Sequence, residues 1–134
     1  SRTDARVPLW HRFLLPGARK PVMDRVRSSD VDAAEPVEDV SLELLSSGER
    51  TSMQHFEIEP GATVPEHSHH HEQTGFVYEG ELTFVSGGEE VVVEVGDSFC
   101  IPSDESHSAK NTGDVPVRGI DVFSPPRTDP NWAE

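Results

Sequence analysis

Two histidines two positions apart, His67 and His69, are the first residues of this chain whose side chains could act on one ligand together. On an extended strand, positions i and i+2 point to the same face, so both imidazoles can reach one metal ion. The tract runs on through His70 and His71. By strand parity His70 points to the opposite face, while His71 shares the face of the pair. Taken alone, such a tract is equally compatible with a solvated polar loop.

A second group lies near the C-terminus. Asp121 and Phe123 share a strand face by the same rule. That face is expected to be the interior one, with Ile120 and Val122 on the outside. Pro125 and Pro126 follow and stiffen the approach to Arg127. A buried carboxyl, an aromatic wall and a guanidinium beside a metal would suit a small acid bearing hydroxyl groups. Arginine can bind a carboxylate through two parallel bonds, and aspartate can move a proton. A structural reading stays open beside this one: Asp121 paired with Arg118 or Arg127, and Phe123 as plain core.

The elements that must position these residues are short and numerous. Runs of β type fall at 40–45, 52–59, 75–79, 81–85, 90–95, 98–101 and 117–123, separated by glycine, proline and serine turns. Gly87-Gly88 is a strong hairpin signal, because glycine accepts positive φ. Many short strands with no long helical period predict an all-β sandwich or barrel, set within residues 36–127. Residues 1–35 read as an N-terminal extension and acidic connector with one short strand, and 128–134 as a C-terminal tail. Trp10, Phe13, Leu14 and Leu15 of the extension are expected to pack on a surface or on a neighbouring chain. Val91, Val92 and Val93 are consecutive, and Ile120 and Val122 lie opposite an already apolar face. Strands apolar on both faces need a second cover, so a homodimer formed sheet to sheet, or cover by the extension, is expected.

Composition excludes several function classes. The chain has 134 residues, about one domain, and a formal net charge of -14. Its basic residues are mostly arginines, with Lys20 and Lys110 the only lysines. Nucleic acid and anionic membranes both call for basic patches that are missing here, so neither is expected as a partner. The acidity fits either an ordinary solvated surface or a high-salt environment, where the Debye length of about 3 Å at 1 M screens self-repulsion. No apolar run approaches the length of a membrane span and no signal peptide is visible. Cys100 is the only cysteine, so no disulfide forms within the chain and a cytoplasmic location is expected. Its apolar neighbours suggest a core position.

The spacing around the histidines is more specific than the pair itself. Five residues separate Gly61 from His67, three separate His69 from Gln73, and six separate Gln73 from Gly80. Downstream, five residues separate Gly96 from Pro102, His107 lies five positions beyond Pro102, and Asn111 four beyond His107. This resembles the two-part signature of the cupin family. The resemblance implies a double-stranded β-helix, or jelly-roll barrel, holding one divalent transition metal ion on His67, His69, Gln73 and His107. Zinc, nickel, iron, manganese and copper all suit such a set.

Two positions depart from the family pattern. Gln73 stands where glutamate is usual, so the ligands would be neutral and the amide could not act as a base. Asp104 stands at a usual glycine, a change that aspartate tolerates in turns.

The run DVFSPPR (121–127), with HSHHHEQ and FVYEGELTF, is similar to the pectin-degradation cupins of the KdgF type. That resemblance implies ring opening of 4,5-unsaturated uronate monosaccharides, with a catalytic trio at Asp121, Phe123 and Arg127, and a dimer. Other metal-cupin chemistry (lyase, polyketide-type cyclase or dioxygenase) and a non-catalytic ligand-binding cupin are the alternatives.

Overall fold

The computed structural model describes residues 23–129. The expected packing of Trp10, Phe13, Leu14 and Leu15, and most of the C-terminal tail, lie outside them. A 3₁₀ turn at Ser28–Asp30 is followed by ten strands, and no α-helix occurs among the described residues. The strands are β1 (Ala34–Val37), β2 (Val40–Ser47), β3 (Ser52–Ile58), β4 (Thr63–His67) and β5 (Glu72–Glu79). They continue as β6 (Leu82–Ser86), β7 (Glu89–Val93), β8 (Ser98–Ile101), β9 (His107–Lys110) and β10 (Val117–Ser124). Two antiparallel sheets result, ordered β1-β2-β3-β10-β5-β8 and β4-β9-β6-β7. This is the all-β barrel that the strand pattern predicts, in the jelly-roll form that the cupin resemblance implies. Among the described residues no helix is long and apolar enough to cross a membrane.

The inward positions of the large sheet change character along the strands. In β10, Val117, Gly119, Asp121 and Phe123 face inward, alternating with half-buried Arg118, Ile120 and Val122. The antiparallel register sets Val117 opposite Ile58, Gly119 opposite Phe56, Asp121 opposite Gln54 and Phe123 opposite Ser52. On the other side Gly119 meets Val77, Asp121 meets Gly75 and Phe123 meets Gln73. One end of the barrel is therefore filled by Val40, Leu42, Phe56, Ile58, Val77, Leu82, Val93 and Val117. The other end collects buried polar groups: Ser52, Gln54, Gln73, His107 and Asp121. The apolar end supplies the burial that stabilises the barrel, roughly 25 cal/mol per Å² of apolar surface. It leaves the opposite end open to chemistry.

Gly119 is needed at the junction of the two ends. A Cβ there would sit 2.3 Å from the ring of Phe56, its cross-strand partner, so the ring lies flat over the backbone of β10. The β6–β7 hairpin turns on Gly87 and Gly88, with φ of 59° and 79°, as the primed hairpin turn demands. Asp104 adopts φ 65°, which accounts for its tolerance at a glycine position.

Two details, at Cys100 and Arg118, differ from the sequence reading. Cys100 is exposed rather than core, because on β8 it alternates with the inward-facing Phe99 and Ile101. Val91 and Val92 are 52% and 48% exposed, and only Val93 joins the core, because β7 ends the small sheet. Arg118 is taken by Glu57 and Glu79 on the outer face, so it does not pair with Asp121.

Asn111, the last residue of the motif, holds loops together. It is fully buried; its Nδ2 donates to the carbonyls of Ile58 and Val115, each at 2.9 Å, and its Oδ1 accepts from the Gly113 N–H at 3.0 Å. Its place in the motif is thus structural. Asn111→Leu should lower stability by about 1–3 kcal/mol for each backbone group left unpaired, read by urea denaturation. An unchanged midpoint would contradict this role.

Candidate metal centre

Three imidazoles converge at the polar end of the barrel. His67 closes β4 and lies directly opposite His107, which opens β9. Their ring centroids are 4.4 Å apart. His69 is not on the strand with His67, as i, i+2 parity had predicted. β4 stops at His67, and His69 sits in the following loop, which turns its ring to within 5.7 Å of His67 and 5.3 Å of His107. One ligating atom from each of the three lies within 4.8 Å of the others, so the trio could hold a metal ion.

The outer ring nitrogens are all engaged in the same way. Nδ1 of His67 faces the Pro65 carbonyl at 2.8 Å, Nδ1 of His69 the His71 carbonyl at 2.9 Å, and Nδ1 of His107 the Glu105 carbonyl at 2.9 Å. A carbonyl can only accept, so each Nδ1 carries the proton and donates. In the neutral ring the lone pair is then on Nε2, the arrangement that a metal-binding histidine needs. Burial pushes His67 down to about 4, with the charges of His107, Arg127 and His69 adding to it and the Pro65 carbonyl opposing. Burial and the Arg127 charge also lower His69.

Gln73 completes the group. Its Oε1 lies 3.1 Å from Nε2 of His69. With the His69 proton on Nδ1, two lone pairs face each other across that distance, and a cation between them resolves the conflict. Its Nε2 donates to Asp121 Oδ1 at 3.0 Å, and Gln54 Nε2 donates to Asp121 Oδ2 at 3.2 Å. Burial pushes the Asp121 carboxyl up to about 7, against the hydrogen bonds from Gln73 and Gln54 and the charge of Arg127.

Arg127 folds back over the same end. Its guanidinium carbon lies 5.2 Å from the centroid of the Phe123 ring. Its backbone is clamped by buried Ser52, whose Oγ accepts from the Arg127 N–H at 2.8 Å and donates to the Arg127 carbonyl at 3.3 Å. Burial lowers the Arg127 pKa, with Asp121 and Asp129 opposing. His71 packs edge-on to Phe123, while His70 is exposed.

His67, Gln73, His107, Asp121, Phe123 and Arg127 all line one cavity of about 60 Å³, whose deep wall includes Leu42, Phe56, Phe84 and Phe99.

The cupin domain family matches residues 54–123, more than half of the chain. The chain belongs to the cupin family. The tetracenomycin polyketide synthase protein TcmJ of Streptomyces glaucescens is 33% identical over 72 residues, 53% of this chain and 48% of that protein. The chain thus spans about half the length of this relative. Among solved structures, KdgF from Halomonas sp. superposes with a TM-score of 0.72 at 23% identity, over 81% of this chain and 97% of that one. The polyketide cyclase RemF from Streptomyces resistomycificus gives 0.67 at 25% identity, over 82% and 91%. These likenesses support the fold and metal-cupin chemistry and leave the substrate open.

All seven residues singled out in the sequence meet at this cupin's polar end. Gln54 and Ser52, which hold Asp121 and Arg127, belong to no motif. Their signal is fainter: two polar residues in the inward phase of a strand whose next inward residues are Phe56 and Ile58. Purified protein should carry about one transition-metal ion per chain. His67→Ala with His107→Ala should abolish it and His70→Ala should not. Equal metal in wild type and double variant by elemental analysis would refute the assignment.

Proposed function

We propose that this cupin is a metal-dependent enzyme acting on a small sugar acid, and that it opens the ring of unsaturated uronate monosaccharides. The observation that carries the reading is the shared cavity. Asp121, Arg127 and Phe123 border the same space as His67, Gln73 and His107. In this reading His67, His69, Gln73 and His107 hold one divalent ion. When bound, the ion supplies Lewis-acid stabilisation of negative charge on a substrate oxygen. Arg127, clamped by Ser52 and stacked on Phe123, binds the substrate carboxylate and sets its orientation. Ring opening takes a proton from the anomeric hydroxyl, forms a carbonyl there as the bond from the anomeric carbon to the ring oxygen breaks, and delivers a proton to C4 as the freed enol becomes the C5 ketone. Asp121 is the buried carboxyl placed to carry it, and a carboxyl raised to about 7 can both hold and release a proton near neutrality. Phe123 walls the pocket and keeps water from the guanidinium. The run DVFSPPR, similar to the KdgF-type cupins, supports the same substrate class.

A second reading, cyclisation of a polyketide-type substrate, draws on the apolar deep wall and on the likeness to TcmJ and RemF. The guanidinium of Arg127 and the buried carboxyl of Asp121 on the cavity wall favour the sugar acid. Turnover of an unsaturated uronate, followed by loss of its ultraviolet absorbance beyond the spontaneous rate, decides between them. Arg127→Ala should cut kcat/KM roughly ten- to a hundredfold, mainly through KM, with the lysine variant recovering part. Asp121→Asn, assayed at saturating metal, should lose kcat. No uronate turnover by metal-loaded wild type would reject the assignment, and undiminished turnover by Arg127→Ala would reject the anchor.

The same reading includes a homodimer through the outer face of the large sheet. Met53 and Phe76 are 37% and 45% exposed there and flank half-buried Ile120 and Val122. The polar groups beside this strip already have partners within the chain: Arg118 pairs with Glu57 and Glu79, and His55 contacts Glu43 and Tyr78. A second copy can therefore dock without bringing unpaired charge together, despite the net charge of -14. Sedimentation should give a dimer at micromolar concentration and a monomer for Ile120→Asp. A monomeric wild type would contradict it.

A further inference from the structure

Three side chains from adjacent strands form one buried line of hydrogen bonds. Gln54 on β3 donates to one oxygen of Asp121 on β10, and Gln73 on β5 donates to the other, at 3.2 and 3.0 Å. All three residues are buried, at most 7% exposed. An ionised carboxylate accepts and cannot donate. In that ionised form Asp121 holds the NH2 groups of both glutamines toward β10. For Gln73 this fixes the other end of the amide as well, and Oε1 faces the imidazoles, 3.1 Å from His69 Nε2.

The two ends of a glutamine amide have nearly the same shape and opposite roles. Reversed, Gln73 would present an NH2 group to the centre, and a cation repels that group. Nothing in the covalent structure of Gln73 prefers one orientation. We infer that Asp121, held by Gln54, is a positioning residue that decides which end of the Gln73 amide faces the metal. The inference rests on the reading of the histidine cluster as a metal centre. It gives the carboxyl a task separate from proton transfer: the negative charge that glutamate usually brings to this position sits one hydrogen bond further out.

The hydrogen-bond logic makes a distinctive set of variants. Asp121→Asn keeps the shape but offers one acceptor and one donor. Where the new NH2 group faces Gln73, it pulls Gln73 Oε1 away from the imidazoles. The double variant Gln73→Glu with Asp121→Asn restores the pattern. The asparagine NH2 donates to one glutamate oxygen, and the other oxygen faces the centre. Gln54→Leu leaves the charge of the site unchanged and only frees the Asp121 carboxylate to turn.

The test is the affinity of the full metal-stripped chain for Co²⁺, measured by chelator competition, with the Co²⁺ absorption spectrum and a thermal melt on each sample. Asp121→Asn should bind about ten- to a hundredfold more weakly, the usual effect of losing an outer partner of a metal ligand. Gln54→Leu should bind more weakly with an altered spectrum, and the double variant should return to within a few-fold of wild type. Equal affinity in wild type and Asp121→Asn, or a double variant no tighter than Asp121→Asn, would overturn the inference. Should Asp121→Asn fail to fold, Gln54→Leu decides: weaker Co²⁺ binding supports the positioning role and unchanged affinity removes it. A wild type that binds no Co²⁺ would overturn the metal reading itself.

Discussion

The register of β10 between β3 and β5 is the constraint on which the rest of the site depends. Asp121 stands opposite Gln54 on one side and Gly75 on the other, and Phe123 stands between Ser52 and Gln73. A slip of one residue would turn every inward side chain outward. The carboxyl would go to the outer face and Ile120 would enter the cavity. The apolar rows at the far end hold the register in place. Val117 against Ile58, and Gly119 under the ring of Phe56, fit in one alignment alone. The core thus acts on the site through strand alignment, at a distance of several residues.

The histidine cluster in this barrel depends on backbone carbonyls as much as on imidazoles. Each of the three histidines donates Nδ1–H to a carbonyl two residues away, at Pro65, His71 or Glu105. The local chain path therefore selects the tautomer. Turns and strand ends are where such carbonyls are unpaired by ladders and free to accept. That is why a histidine just past the end of β4 serves as well as one on it.

The two faces of the large sheet are put to different uses. The inner face runs from apolar to polar along its length and gives a site at one end. The outer face keeps its polar groups in closed sets, Arg118 between two glutamates and His55 between Glu43 and Tyr78, around an apolar strip. An acidic chain can expose such a strip without losing solubility, because its net charge keeps copies apart except where the charges are already paired.

Local sequence was enough for every strand but β4 and β9, whose short polar runs carry little alternation, and for the hairpin at Gly87-Gly88, the left-handed turn at Asp104 and the inward phase of Asp121 and Phe123. Each depends on period-two alternation or on the φ preference of one residue, and both are properties of neighbours in the chain. The spacing from Gly61 to Asn111 likewise pointed to His67, His69, Gln73 and His107, because a motif of fixed length carries its geometry with it. What tertiary structure alone decided was which residues meet across strands. His69 reaches its partners from a loop, Cys100 falls on the outer phase of an edge strand, and Arg118 pairs on the outside. Gln54 and Ser52 become the supports of Asp121 and Arg127 although 67 and 75 residues separate the pairs. Such contacts are set by register between strands far apart in sequence, and register is determined only when the whole barrel closes around its core.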